Sequence, residues 1–315
     1  CHRDRFRTGD LLLRPVLTRP ALTTSPRATR PSGDLRRKSE RLALQESPQV
    51  AILPRLAFIS LFFCEARLMS TEKSEGLILR VTDFSETSRI VVLFTREFGK
   101  LSALAKGGRR LKGPFESALD LLATCQIVFL RKGTSGLDLL TEAKLVHRFH
   151  PQERDLTCLY AGYYVAELLL ALTEDYDPHP ELYAAAQDAL QSFMTSQATP
   201  IAVMRFELVL LREIGQLPDF ETCAACGAML TEGKTFGFWG SQGGLICPEC
   251  QREEYSQVTI HAGSAAILRL LAGENEQSWR RLNLSPQQLK EVRQITTSAV
   301  SHVLGRRPKM LKFLS

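Results

Sequence analysis

Four cysteines of this 315-residue chain have the type and spacing to do chemistry. Cys223-x-x-Cys226 is followed, after twenty residues, by Cys247-x-x-Cys250. A tetrahedral zinc ion takes four ligands, with sulfur at about 2.3 Å, and a two-residue spacer lets one tight turn aim two thiolates at the ion. Cys226-Gly227 and Cys247-Pro248 place turn residues beside the ligands. Two such pairs at this separation match zinc-site spacing. A redox dithiol needs one pair on a thioredoxin-like unit, which this sequence lacks. An iron–sulfur cluster remains the alternative for four thiolates. Four protein ligands leave no open coordination position, so the ion expected here is structural Zn2+.

A second metal pattern competes with this one. His179-Pro180-Glu181 ahead of a C-x-x-C is similar to a zinc deaminase, which carries H-x-E and then P-C-x-x-C. Here Thr222 precedes Cys223 and Ile246 precedes Cys247. His179 reads better as a residue at the start of a helix. The chain also shows no phosphate loop, no nucleophile beside a base and no paired carboxylates, so it reads as a binding protein and not an enzyme.

The elements that must position the cysteines are a small hairpin, Thr235–Trp239 and Gly243–Leu245, within a module at 220–255. Helical patterns flank the module. Apolar residues recur at three- and four-residue spacing over 152–173, and Pro178-His179-Pro180 opens a helix near 180–195. Thr199-Pro200 starts a third helix that Gly215 closes. A short helix is expected at 262–272. Ser285-Pro286-Gln287-Gln288 is a capping box for a last helix ending at Gly305.

Ahead of the helices, residues 75–81, 88–95, 100–106, 121–131 and 137–149 read as five short strands. Lys132 to Gly136 reads as the hairpin loop between the last two. Five strands in about 75 residues match the count of an OB-fold barrel. The predicted class is therefore α+β: a five-stranded OB-fold at 69–149, then a helical domain at 150–315 with the four-Cys finger inserted.

The chain has a formal charge of +6, unevenly placed. Residues 1–68 hold 13 Lys+Arg against 6 Asp+Glu, and the rest hold 27 against 28. Within 69–148 there are 13 against 9, and around the cysteines acids outnumber bases. Nucleic acid is therefore expected on the barrel and not on the finger. Lys100, Lys106, Arg109, Arg110 and Lys112, with glycines between them, form a basic, flexible loop after the third strand. Arg89, Arg131 and Lys132 complete the candidate set. Phe94 and Phe98 have the chemistry to stack on bases, but buried aromatics are the commoner case, and both are assigned to the core. The rival reading, a zinc-ribbon nucleic-acid-binding regulator, wants its basic charge around the cysteines.

Residues 1–49 are rich in Arg, Pro, Ser and Thr, with no sustained period. Residues 50–63 resemble a signal-peptide core, but Pro54 and Arg55 interrupt it and no small-residue cleavage pattern follows. A well-patterned sequence starts at Met69. Residues 1–68 are thus expected to be a disordered or leader-like extension, with a DNA-tethering arm as the alternative. There is no run of 18 or more apolar residues, so no membrane partner is expected. The scattered single cysteines suit a reducing cytoplasm.

Glu75-Gly76-x-Ile78-Leu79-Arg80, Ser85-Glu86-Thr87-Ser88-Arg89-Ile90-Val91, Phe94-Thr95, Gly99-Lys100 and Ala105-Lys106-Gly107 resemble the start of the RecO family. The helical segment and four-Cys module follow in that family's order, so the resemblance covers roughly 72–312. It implies an OB-fold, a helical domain and a zinc finger. It also implies binding of single- and double-stranded DNA, strand annealing, help in loading RecA, and partnership with RecR and single-stranded DNA-binding protein, in the cytoplasm at the nucleoid.

Removing residues 1–68 is expected to leave both the melting temperature and DNA affinity unchanged. Thermal unfolding and fluorescence anisotropy of the truncated chain check this, and a clear fall in either gives the tail a role.

Overall fold

The computed structural model describes residues 70–314 except 111–112, 116–117, 133–135, 152–155, 196–198, 232–234, 253–257 and 274–277. The 1–68 extension and Lys112 therefore lie outside the described residues.

Strands β1 (Ser70–Asp83), β2 (Arg89–Thr95), β3 (Gly99–Ala105), β4 (Thr124–Arg131) and β5 (Asp138–His147) close a barrel in the order β1-β2-β3-β5-β4. All its neighbours are antiparallel except β3 and β5, which run parallel. This is the expected OB-type barrel. Inside it lie Ile78, Val91, Leu93, Leu101, Ile127 and Phe129.

Two strand starts differ from the sequence reading by three residues or more. β1 starts at Ser70, because Ser70–Leu77 pair with Arg131–Thr124 of β4 and close the barrel. Its first six residues, Ser70–Glu75, are all polar, so it carries no apolar alternation. β4 starts at Thr124, because Leu122 takes a left-handed backbone (φ 63°) that ends any extended run before it.

The apolar run Leu77-Ile78-Leu79 has a physical reason. Ile78 points into the barrel, whereas Leu77 and Leu79 point out into the helical core, so the strand is buried on both faces. Phe94 and Leu122 also join the helical core. Phe98 packs edge-on against Phe129 at 5.4 Å. Both phenylalanines are thus core residues.

The helices are α1 (Leu156–Leu172), α2 (Pro180–Met194), α3 (Thr199–Glu213), α4 (Ala262–Ala272) and α5 (Pro286–Leu304). His179 is the N-cap residue of α2, as read from its flanking prolines. Ser285 and Gln288 form the expected capping box of α5, and Gly305 closes it. Helix α1 lies on the barrel: a Cβ at Gly162 would sit 2.7 Å from the Phe149 ring and 2.8 Å from Leu122. No described helix is long and apolar enough to cross a membrane.

The β2–β3 turn docks on the segment after α1. The Tyr176 N–H donates to the Lys100 carbonyl at 2.8 Å. Gly99 has φ +66°, and a Cβ there would meet the backbone carbonyl oxygen of Asp177 at 2.0 Å. Gly99→Ala is therefore expected to destabilise the fold. The left-handed backbone alone costs about 1–2 kcal/mol, and displacement of the Asp177 backbone adds to it. Urea unfolding checks this, with a midpoint fall expected at unchanged slope.

Candidate metal centre and nucleic-acid interface

The cysteine module is a four-stranded sheet of β6 (Asp219–Cys223), β7 (Thr235–Trp239), β8 (Gly244–Ile246) and β9 (Val258–His261), in the order β6-β8-β7-β9. β6 and β8 are adjacent and parallel, so both end at the same edge of the sheet. Cys223 ends β6 and Cys247 follows β8, which brings the two C-x-x-C turns face to face. Phe220, Phe236, Phe238, Leu245 and Ile246 anchor this sheet in the helical core. The return to α4 is held by Glu291 of α5, whose carboxylate accepts the His261 N–H at 2.9 Å and the Ser264 hydroxyl at 2.6 Å.

The four ligand sulfurs all lie within 4.8 Å of one another, with Cys226 and Cys247 at 3.9 Å. A zinc–sulfur tetrahedron of about 2.3 Å radius puts its sulfurs about 3.8 Å apart, so the donors fit. Burial opposes ionisation of Cys223. The N–H groups of Cys247, Cys226 and Ala225 outweigh it and bring the thiol down to about 6. The Cys247 N–H reaches that sulfur at 3.3 Å. Cys247 is raised by burial and by the Cys223 and Cys226 sulfurs, against the opposing pull of Cys250. Cys250 is pushed up to about 12, first by the Cys247 and Cys226 sulfurs. Four thiolates this close repel, and a divalent cation at their centre removes that conflict. These are the only metal-competent group of three or more His, Cys, Asp or Glu among the described residues; His179 is not part of it.

The basic candidates separate into different uses. Lys100 is turned inward, its side chain 14% exposed. Its ammonium donates to the carbonyls of Leu170 (3.3 Å) and Thr173 and lies 3.5 Å from Asp175. It caps the C-terminal end of α1, where a cation is favoured, so the structure gives it an internal use in place of the expected surface one. Arg131 lies over the Tyr176 ring at 4.5 Å. The Lys132 N–H donates to Asp138 at 3.0 Å.

Arg89 pairs with Asp83 at 3.1 Å, and Arg109 stands 3.8 Å from the same carboxylate. Arg109 also donates to the Ser85 carbonyl at 3.2 Å, and its own N–H donates to Thr87 at 3.1 Å. The described part of the basic loop, 106–110, is thus a hydrogen-bonded turn. On it Lys106, Arg109 and Arg110 are exposed, brought to one place. Four further cations, Arg306, Arg307, Lys309 and Lys312, stand exposed on the turn after α5. Their only signal in the sequence is a short charge run.

A family model described as Recombination protein O N terminal matches residues 69–149, and one described as Recombination protein O C terminal matches 153–312. The chain belongs to the RecO family. A protein named DNA repair protein RecO from Rhodopirellula baltica is 41% identical over 204 residues, 64% of this chain and 75% of that one. The Myxococcus xanthus protein of the same name is 31% identical over 249 residues, 78% of this chain and 98% of that one. One from Anaeromyxobacter dehalogenans is 33% identical over 247 residues, 78% and 96% of the two chains. In this RecO-family chain the barrel falls within the N-terminal match, and the helices and cysteine sheet within the C-terminal one.

The purified chain is expected to hold about one zinc per molecule. Cys247→Ser is expected to lose the ion and lower the melting temperature, since a structural metal contributes folding energy. Elemental analysis together with thermal unfolding checks this; iron, or no metal in freshly reduced protein, overturns it.

Proposed function

We propose that this chain is a DNA repair and recombination mediator. It binds single- and double-stranded DNA, anneals complementary strands and helps load RecA, with RecR and single-stranded DNA-binding protein as partners. It works by binding and not by catalysis, in the cytoplasm at the nucleoid. Zinc is its structural ion.

The observation that carries this reading is the turn at 106–110. It presents Lys106, Arg109 and Arg110 on the outside of a closed OB-type barrel, within a chain of the RecO family. OB-folds bind oligonucleotides on the face of strands 2–3 and neighbouring loops, and this turn directly follows β3. Cations there neutralise phosphates and release counterions, which gives affinity without base selection. The zinc-ribbon regulator reading is less well supported, because the cysteine sheet is anchored in the helical core and its sequence is acidic.

Strand annealing by the purified chain, with free and protein-coated single strands, tests the function; no acceleration over the uncatalysed rate would reject it. Lys106→Ala with Arg110→Ala is expected to weaken DNA binding with little change in stability. The log–log salt slope should fall by about 0.9 per lost contact on duplex and about 0.7 on single strands. Lys100→Met should do the reverse, lowering the melting temperature and leaving the slope alone. Affinity against salt on two unrelated oligonucleotides checks both, and an unchanged slope in the Lys106/Arg110 variant moves the DNA site elsewhere.

A further inference from the structure

Two surface grooves meet along the outer edge of the barrel. One, of about 720 Å³, runs beside β1 and the turn into β2, past Asp83, Arg89 and Asp120. The other, of about 440 Å³, crosses α1 at Tyr163 and Leu170 and ends at Arg306, Lys309 and Met310. Leu79, Arg80 and Leu121 line both, so the two grooves form one continuous path. One end lies at Arg89, which shares Asp83 with Arg109 of the basic turn. The other end lies at the cationic turn after α5.

That turn is held in place. Glu167 of α1 accepts the N–H groups of Lys309 and Met310, both at 2.8 Å, and the Arg306 guanidinium at 3.3 Å. Phe313 stacks on Tyr160 at 4.6 Å. The acids along the path are used within the protein. Asp83 faces Arg89 and Arg109, Glu167 holds the turn, and Asp120 accepts the Leu121 N–H at 2.9 Å. Arg80, Arg307 and Lys309 are exposed.

We propose that a single strand of DNA bound at the 106–110 turn runs on through this double groove to the cationic turn after α5. Arg80 bridges the two ends. The proposal rests on the reading that the barrel binds DNA. The occupant is argued from charge and floor together. Cations at both ends and at the middle suit a polyanion. Leu121 is 38% exposed on the floor shared by both grooves, apolar surface that a splayed base can cover. A duplex keeps its bases stacked inside and gains nothing from that floor.

The test uses the full chain and oligothymidylates of increasing length, with anisotropy read against salt. Three variants are compared with wild type: Lys106→Ala with Arg110→Ala; Arg80→Ala; and Arg307→Ala with Lys309→Ala and Lys312→Ala. Glu167 holds the last turn through backbone N–H groups of Lys309 and Met310, which the third variant keeps, and an unchanged melting temperature verifies its fold. Affinity of the wild type should rise with length beyond what the barrel turn alone engages. The third variant should lose that later rise, and its salt slope on long strands should fall by about 0.7 per lost contact. Arg80→Ala should lose part of the rise. If the third variant follows wild type at every length while the Lys106/Arg110 variant weakens, the extended path is wrong and the barrel reading stands. If it binds DNA like wild type but loses a protein partner, the turn is a peptide site and the proposal fails. If wild type binds no DNA, the barrel reading itself falls.

Discussion

Barrel and helices share one apolar core, and the rest of the structure depends on that sharing. Leu77, Leu79, Phe94 and Leu122 come from the barrel but lie among the side chains of the helices. Each buried side chain of this size stabilises by roughly 1.5–3 kcal/mol, so four of them hold the two parts against each other. The contact is close because Gly162 lets α1 approach Phe149 and Leu122, and Gly99 lets the β2–β3 turn approach Asp177. Lys100 completes the joint by capping α1. The surfaces of barrel and helices are thereby fixed relative to one another, which is what allows a groove to run from β1 across α1.

The cysteine sheet is tied into the same core. Its strands supply Phe236, Phe238, Leu245 and Ile246 to the helical cluster, so the four clustered cysteines stand at the edge of a packed body. The C-x-x-C turns meet because β6 and β8 are parallel neighbours. A metal there closes a loop of chain and removes the repulsion among thiolates, and it leaves no ligand position for chemistry. Its acidic sequence agrees with a structural role.

The cations show how one residue type takes different tasks. Lys100 and Lys106 stand six residues apart near the same strand. Lys100 is directed into the α1 carboxyl end, whereas Lys106 is exposed on the following turn. Arg89 and Arg109 share Asp83, which orders the turn and leaves less charge for a ligand. Arg131 spreads over Tyr176. What remains on the surface is narrower than the sequence's basic count, and it includes a second cluster after α5.

By itself the sequence determined whatever local chemistry specifies. The four candidate metal-binding cysteines follow from two-residue spacers, because each pair is set by one turn. The start of α2 follows from Pro180 in its first turn, and the ends of α5 from the Ser285 capping box and Gly305, because such signals act within a few residues of themselves. The strand count followed from apolar runs bounded by turn residues. Only the tertiary structure decided the polar half of β1, whose place comes from pairing with β4 some fifty residues away. It alone decided that Lys100 is a cap, because its partners lie 70 and 73 residues further along. It alone made one path of Arg80 and Lys309, because no local pattern records which distant segments a shared core will press together.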